Sequence, residues 1–248
     1  DSGSDLAATR TRAESTAEGW RINGTKVWTT YAHEADWMIL FCRTSGTTAD
    51  RQAGTSQMLV DMHNTPGLTV RPIIDLAGQH HFNEVHFEDA MLPRDALLGI
   101  EGEGWQQVMS ELAFERSGPE RFLSSFQLIV ELVALLRGSD TAHARGAIGR
   151  LTAHLIVLRR LSRSVAAMLE AGDDPAVHAS IVKDLGATFE QSIVEIARTL
   201  VDAEPDLEAS DPYPAVLANV MMNAPSWSLR GGTREILRGI IARGLGLR

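Results

Sequence analysis

A single cysteine, Cys42, is all the thiol in the chain. No internal disulfide can therefore staple it, and a reducing compartment suits it. Positive charge is also scarce, with 23 Lys and Arg against 32 Asp and Glu and a formal net charge of −9. That balance argues against a nucleic-acid surface, which needs concentrated basic charge. A phosphorylated cofactor is not excluded, since it needs only a few local donors. No uninterrupted apolar run approaches the roughly eighteen residues of a membrane-spanning helix, and no basic-then-apolar signal segment opens the chain. These absences lead to the expectation of a cytoplasmic protein without a membrane span. No metal site is expected either. The neighbours His80 and His81 would point to opposite faces of a strand and chelate poorly.

What is present is an ordinary globular composition of 248 residues, 44% hydrophobic and 22% charged. That length suffices for one large domain or two modest ones. The period of the apolar residues changes along it. Residues 20–92 read as strands: Trp20-Arg21-Ile22, Lys26-Val27-Trp28, Trp37 to Phe41, Gln57 to Met62, Leu68-Thr69-Val70 and Val85-His86-Phe87. Asn23-Gly24 suits a type I′ hairpin turn between the first two, because both residues accept φ > 0. Strands at this spacing with no helix between them predict an antiparallel barrel or sandwich.

From Gly102 onward the period is helical. Ile148, Leu151, Leu155, Leu158, Leu161 and Val165 fall three or four apart, as do Ile181, Leu185, Phe189, Ile193, Ile196 and Leu200; each set is the stripe of an amphipathic helix. Gly172-Asp173-Asp174-Pro175 separates the two helices, Pro119 suits a first helical turn, and Glu204 to Pro214 reads as a loop. The periods alone predict an α+β chain of two domains.

Two stretches narrow the chemistry. Near the carboxyl end the chain reads Arg230-Gly231-Gly232-Thr233-Arg234-Glu235-Ile236, followed by the basic, apolar segment Leu237 to Arg243. Near the start it reads Gly24-Thr25-Lys26-Val27-Trp28-Thr29-Thr30. By itself the latter would be a strand with a buried Trp. Together they resemble the acyl-CoA dehydrogenases, flavoenzymes that desaturate acyl thioesters. Val85-x-Phe87-Glu88-Asp89-x-x-Leu92-Pro93, then Leu97-Leu98-Gly99, is similar to the family's strand-to-helix junction. The opening Asp1-Ser2-Gly3-Ser4-Asp5 resembles the tail of a loop that serves flavin and acyl-CoA.

The resemblance implies a middle β domain over 1–101, already under way at its start, and a helical bundle over 102–248. An amino-terminal helical domain would precede them, so the chain is expected to be a fragment. It implies FAD as cofactor, with Ser4, Trp28, Thr29, Thr30, Thr233, Arg234 and Glu235 on the flavin side. Trp28 would pack on the isoalloxazine and Thr30 would donate near N5, the atom that receives the hydride. Ser4, Arg116 and Gly232 would contact the acyl-CoA substrate. An electron-transfer flavoprotein would accept the electrons, and the assembly would be a homo- or hetero-oligomer.

The family's usual catalytic base is a Glu at the position of Gly231. A subgroup carries it instead on the first long helix of the third domain, in a Glu-Arg pair. Ala113-Phe114-Glu115-Arg116 matches that pair, so the resemblance assigns the base to Glu115. Glu111 and Glu120 match no base position. The Gly231 N–H could still polarise a thioester carbonyl. Leu136 to Asp140 and Leu200 to Pro205 lack the family's intersubunit flavin motifs. Two alternatives follow: a non-catalytic partner subunit of a heteromeric dehydrogenase, or a flavin monooxygenase on the same fold.

Overall fold

The structure of the chain, a computed structural model, describes residues 5–138 and 141–247. Among the described residues are seven strands and six α-helices, and the strands come first. The α+β class expected from the periods is the class observed. The chain divides into two compact units, Asp1–Ser110 and Glu111–Arg248.

In the first unit, β1 (Arg12–Ser15), β2 (Trp20–Thr30), β3 (Trp37–Arg43), β4 (Thr55–Asp61), β5 (Leu68–Ile73), β6 (Phe82–Leu92) and β7 (Leu97–Leu98) share one sheet. Their order is β5-β6-β2-β1-β3-β4-β7. Every pairing is antiparallel except β1 with β3, which meet in parallel at Arg12 and Arg43. Period-2 alternation decides which side chains are buried: β6 buries Asn83, Val85 and Phe87 and leaves Glu84 and His86 partly in solvent. The core gathers Ile22, Leu40, Met58, Val60, Val85 and Phe87, each contributing about 1.5–3 kcal/mol by leaving water.

The buried Arg43 crosslinks this unit through main chain, donating to the carbonyls of Ala7, Thr9, Arg51 and Ala53 at 2.7–3.4 Å. A planar five-donor fork can satisfy several carbonyls at once, which an ammonium on a flexible stem does poorly.

The Asn23-Gly24 hairpin is not formed. Trp20 to Thr30 is one continuous strand, flanked by β1 on one side and β6 on the other. Asn23-Gly24 sits at a register shift within it, a bulge rather than a turn. Asn23 Nδ2 donates to Asp89 Oδ1 at 2.9 Å, and the Asp89 N–H donates back to Asn23 Oδ1 at 2.9 Å. Gly24 has φ 146°, and a Cβ there would meet Thr11 Cα at 2.7 Å. Glycine is therefore needed for close approach as well as for its backbone angle.

Helix α1 (Gly104–Ser117) begins in the first unit and ends in the second. It is followed by α2 (Phe126–Leu136), α3 (Ala142–Ala171), α4 (Ala176–Leu200), α5 (Pro212–Trp227) and α6 (Arg234–Gly244). The predicted α3 stripe is the buried one, with Leu151, Leu158 and Val165 in the core. The α4 stripe is wider than the one predicted: Phe189 and Ile193 lie in the core, Leu185 is 46% exposed, and Ala179, Lys183, Gly186, Ala187, Glu190 and Ala197 are buried as well. Small residues let neighbouring helices approach α4, and two charged ones carry a polar network described below. The loop expected to end at Pro214 ends earlier. Pro212 opens α5 behind the cap Asp211, which accepts from the Tyr213 N–H at 3.3 Å; proline's fixed φ suits a first turn.

Candidate active site

The predicted site residues fall in both units, and each set has its own geometry. In the first unit, β2 ends in Trp28-Thr29-Thr30. The register with β6 slips between Lys26 and Thr29, and Trp28 adopts φ 63°. A left-handed backbone costs an L-residue of this bulk roughly 1–2 kcal/mol. Its side chain is 64% exposed, and it meets the Phe82 ring edge-on with centroids 5.7 Å apart. The buried strand tryptophan of the bland expectation is therefore overturned: the bulge turns this side chain outward. Neither the Thr29 nor the Thr30 hydroxyl makes a hydrogen bond among the described residues; the Thr29 carbonyl accepts from Asn83 Nδ2 at 3.2 Å. A flat apolar face at a strained position, beside two uncommitted hydroxyls, fits a planar flavin ring needing a stacking surface and donors.

Ser4 lies outside the described residues. Its neighbour Asp5 accepts both guanidinium arms of Arg51 at 2.8 and 2.9 Å. His80 and His81 precede β6 rather than lying on a strand. His80 stacks on His33 at 3.8 Å and meets Asn83 Oδ1 at 2.8 Å, while His81 reaches the Tyr31 hydroxyl at 2.8 Å.

In the second unit Glu115, Arg116, Gly231 and Gly232 come together. Gly231 has φ 65°, and a Cβ there would lie 3.3 Å from Glu115 Oε1, 3.4 Å from Lys183 Cε and 3.7 Å from Arg121 Cζ. The carboxylate missing at position 231 is thus matched by one beside it, delivered from α1. The buried Arg116 donates from Nε to the Gly231 carbonyl at 3.1 Å. The Gly231 N–H makes no hydrogen bond among the described residues and is available as a donor. Gly232, at φ 100°, leaves room that a Cβ would take 3.5 Å from Arg116 Nη2.

Glu115 is ion-paired to Arg121, and Arg121 Nε also donates to the Glu115 carbonyl at 3.1 Å. Around this pair runs a network that sequence reasoning missed. Lys183 is fully buried, and its Nζ donates to the Trp227 carbonyl at 2.6 Å. Burial pushes its ammonium down to about 8; Arg230 and Arg121 push the same way, and Glu190 and Glu115 oppose them. Glu190, also fully buried, accepts from the Ser124 N–H at 2.7 Å and from Arg230 Nη2 at 3.0 Å. Desolvation lowers Arg116 and Arg230 as well, with Glu115 and Glu190 acting against it. One signal was in the sequence: Lys183 and Glu190 are seven apart, two helical turns, so they share a face of α4.

Thr233 caps α6, its hydroxyl accepting from the Ile236 N–H at 3.5 Å. Glu235 in the first turn is held below the usual carboxylate range by its own N–H and by the Thr233 hydroxyl. Arg234 is committed to Asp184 at 2.7 Å, a carboxylate it shares with Arg238 at 3.3 Å. The three predicted flavin-side residues here thus also anchor α6, and Arg234 ties it to α4.

The description "Acyl-CoA dehydrogenase, middle domain" matches residues 1–90, and "Acyl-CoA dehydrogenase, C-terminal domain" matches residues 102–246. The chain belongs to the acyl-CoA dehydrogenase family. Acyl-CoA dehydrogenase IpdE1 of Mycobacterium tuberculosis is 34% identical over 255 residues, covering 99% of this chain and 64% of that protein. Acyl-CoA dehydrogenase FadE34 of the same organism is 31% identical over 244 residues, covering 98% of this chain and 33% of that protein. The chain thus spans about a third of one acyl-CoA dehydrogenase and just under two thirds of the other. Among solved structures, the Tcur3481-Tcur3483 steroid acyl-CoA dehydrogenase superposes with a TM-score of 0.84 at 23% identity, over 100% of this chain and 66% of that one. Glutaryl-coenzyme A dehydrogenase with glutaryl-CoA gives 0.85 at 22%, over 100% and 64%. At these identities the structures speak to the fold. No helix among the described residues is long and apolar enough to cross a membrane.

Proposed function

We propose that this chain is the β and carboxyl-terminal helical part of an FAD-dependent acyl-CoA dehydrogenase in which Glu115 is the base. The observation that carries the reading is the 3.3 Å between Glu115 Oε1 and the place where a side chain at Gly231 would begin. A carboxylate entering from α1 can reach the space that one from position 231 would reach.

A thioester's α-hydrogen is too weakly acidic for a free carboxylate, so charge on the carbonyl must be stabilised while the proton leaves. The Gly231 N–H is an uncommitted donor for that carbonyl oxygen, and Arg116, bonded to the Gly231 carbonyl, fixes the loop that presents it. Glu115 takes the α-proton; the C–H electron pair passes into the thioester as the proton arrives on a carboxylate oxygen. FAD, when bound, would supply the hydride acceptor for the β-hydrogen. Trp28 offers the ring a stacking face, and Thr29 and Thr30 offer it hydroxyls. The family resemblance likewise assigns Thr233, Arg234 and Glu235 of the second unit to the cofactor, and Gly232 and Ser4 to the substrate. Electrons would pass to an electron-transfer flavoprotein, within a homo- or hetero-oligomer in the cytoplasm.

The test is anaerobic addition of acyl-CoA thioesters to the purified full-length protein. The panel should run from short to long acyl chains and include a dicarboxylic and a steroid-bearing thioester, since solved structures of this fold include a steroid acyl-CoA dehydrogenase and a glutaryl-coenzyme A dehydrogenase with glutaryl-CoA. Bleaching of the flavin's long-wavelength band is expected with at least one. Glu115→Gln should retain flavin and abolish bleaching. Bleaching that survives the substitution would move the base elsewhere, and flavin that stays oxidised with every thioester would favour the monooxygenase reading.

A further inference from the structure

We infer that Arg121 is the positioning residue of the proposed base, holding one oxygen of the Glu115 carboxylate and leaving the other for the substrate. This rests on the reading of Glu115 as base.

Arg121 ends the 3-10 turn Pro119–Arg121 that follows α1. Its side chain is only 12% exposed, against 37% for Glu115. It grips Glu115 at two points: Nη2 on Oε1 and Nε on the main-chain carbonyl, at 3.1 Å. The carbonyl bond alone would serve a helix end, where the last carbonyls lack intrahelical partners. The carboxylate bond is not needed for that purpose. Bonding to the residue's backbone and its terminal oxygen together fixes where the side chain lies. Glu115 Oε2 has no hydrogen bond among the described residues, so it is the oxygen free to receive a proton.

The surroundings explain why a clamp matters. Lys183 and Arg116 are also close enough to act on Glu115 electrostatically. Without Arg121 the carboxylate could turn toward either. Glu120 lies 3.7 Å from Arg121 Nε, but its side chain is mostly in solvent and competes weakly. Gly231 belongs to the same device, because its absent Cβ would stand 3.7 Å from Arg121 Cζ and 3.3 Å from Glu115 Oε1. A side chain there would press on both halves of the pair.

The test separates proton removal from the rest of turnover. An acyl-CoA whose β-carbon is replaced by sulfur can lose its α-proton but has no β-hydride to give. Exchange of its α-hydrogens with D2O is followed by NMR on the full-length, flavin-loaded protein, per bound flavin. Arg121→Met should slow exchange about a hundredfold, the scale of a misplaced catalytic group, while thioester affinity and flavin content stay at wild-type values. Arg121→Lys keeps a cation but cannot make both contacts, and should fall between the two. Wild-type exchange in Arg121→Met would overturn the inference. If that variant fails to fold, wild-type exchange in Arg121→Lys would do the same. Glu115→Gln, measured alongside, should abolish exchange; exchange that persists there would reject the base itself, an outcome distinct from failure of Arg121 alone.

Discussion

Replacing Glu190 with Leu should destabilise the helical unit by about 3 kcal/mol, near the lower end of the roughly 3–5 kcal/mol for breaking a buried ion pair. The figure follows from what the carboxylate holds. Glu190 is fully buried and accepts from the Ser124 N–H and from Arg230. Leucine fills similar space but removes both acceptors. The Ser124 N–H then loses its acceptor, about 1–3 kcal/mol where the group stays dry. Arg230, whose Nε has no partner among the described residues, loses its counter-charge while Lys183 and Arg121 remain close enough to repel it. Two facts limit the loss: the Arg230 side chain is 32% exposed, and Arg230 keeps its bonds to the Glu120 carbonyl and Ser124 Oγ at 3.0 and 2.7 Å. Glu190→Gln preserves the acceptor geometry without the charge and should cost only about 1–2 kcal/mol. Urea titration followed by helical circular dichroism should show a lower midpoint at unchanged slope for both variants, with leucine the worse. A leucine variant within about 0.5 kcal/mol of wild type, the range of an ordinary surface change, would refute the account. Equal losses for leucine and glutamine would show that the charge is immaterial.

Two further outcomes follow from strain and titration. Trp28→Ala should leave fold stability within about 0.5 kcal/mol, since the ring is exposed, yet weaken flavin retention by about 1 kcal/mol through the lost stacking face; equilibrium dialysis of flavin against the variant checks it. Lys183, lowered from 10.5 to about 8 by burial, binds fewer protons folded than unfolded between those values. Its burial cost is therefore fully present below about pH 8 and relieved as pH rises toward 10.5, so stability should gain up to about 3 kcal/mol over that window. Lys183→Met should flatten the rise in urea midpoints, and an unchanged rise would assign the titration to another group.

The change of period near Gly102 and the α3 stripe were legible because burial there follows the simple rule of one apolar face. Glu115 was legible as a match for the missing residue at Gly231, although no spacing in the sequence places residues 115 and 231 side by side. Asn23-Gly24 misled because the same backbone freedom serves a turn or a bulge; only the two flanking strands decide. Trp28 misled for a related reason, since strand propensity does not report a positive φ. On α4 the apolar stripe found Phe189 and Ile193 but not the small residues, Lys183 and Glu190 that share the buried face, nor the exposure of Leu185. Helix proximity and paired burial decide those positions, and both depend on the tertiary partners Trp227, Ser124 and Arg230.

Glu115 stands on a helix and Gly231 on a loop, and in the function proposed that arrangement would divide two duties between separate stretches of chain. A glutamate at 231 would join proton removal and carbonyl polarisation in one residue, so a change there would disturb both. Here, in the function proposed, the backbone donor at 231 is independent of the acid–base group at 115. Substitutions at 115 would then abolish deprotonation while leaving thioester recognition whole. A comparison restricted to the loop position would score such a chain as inert, because what is retained is a volume in space rather than a letter in an alignment.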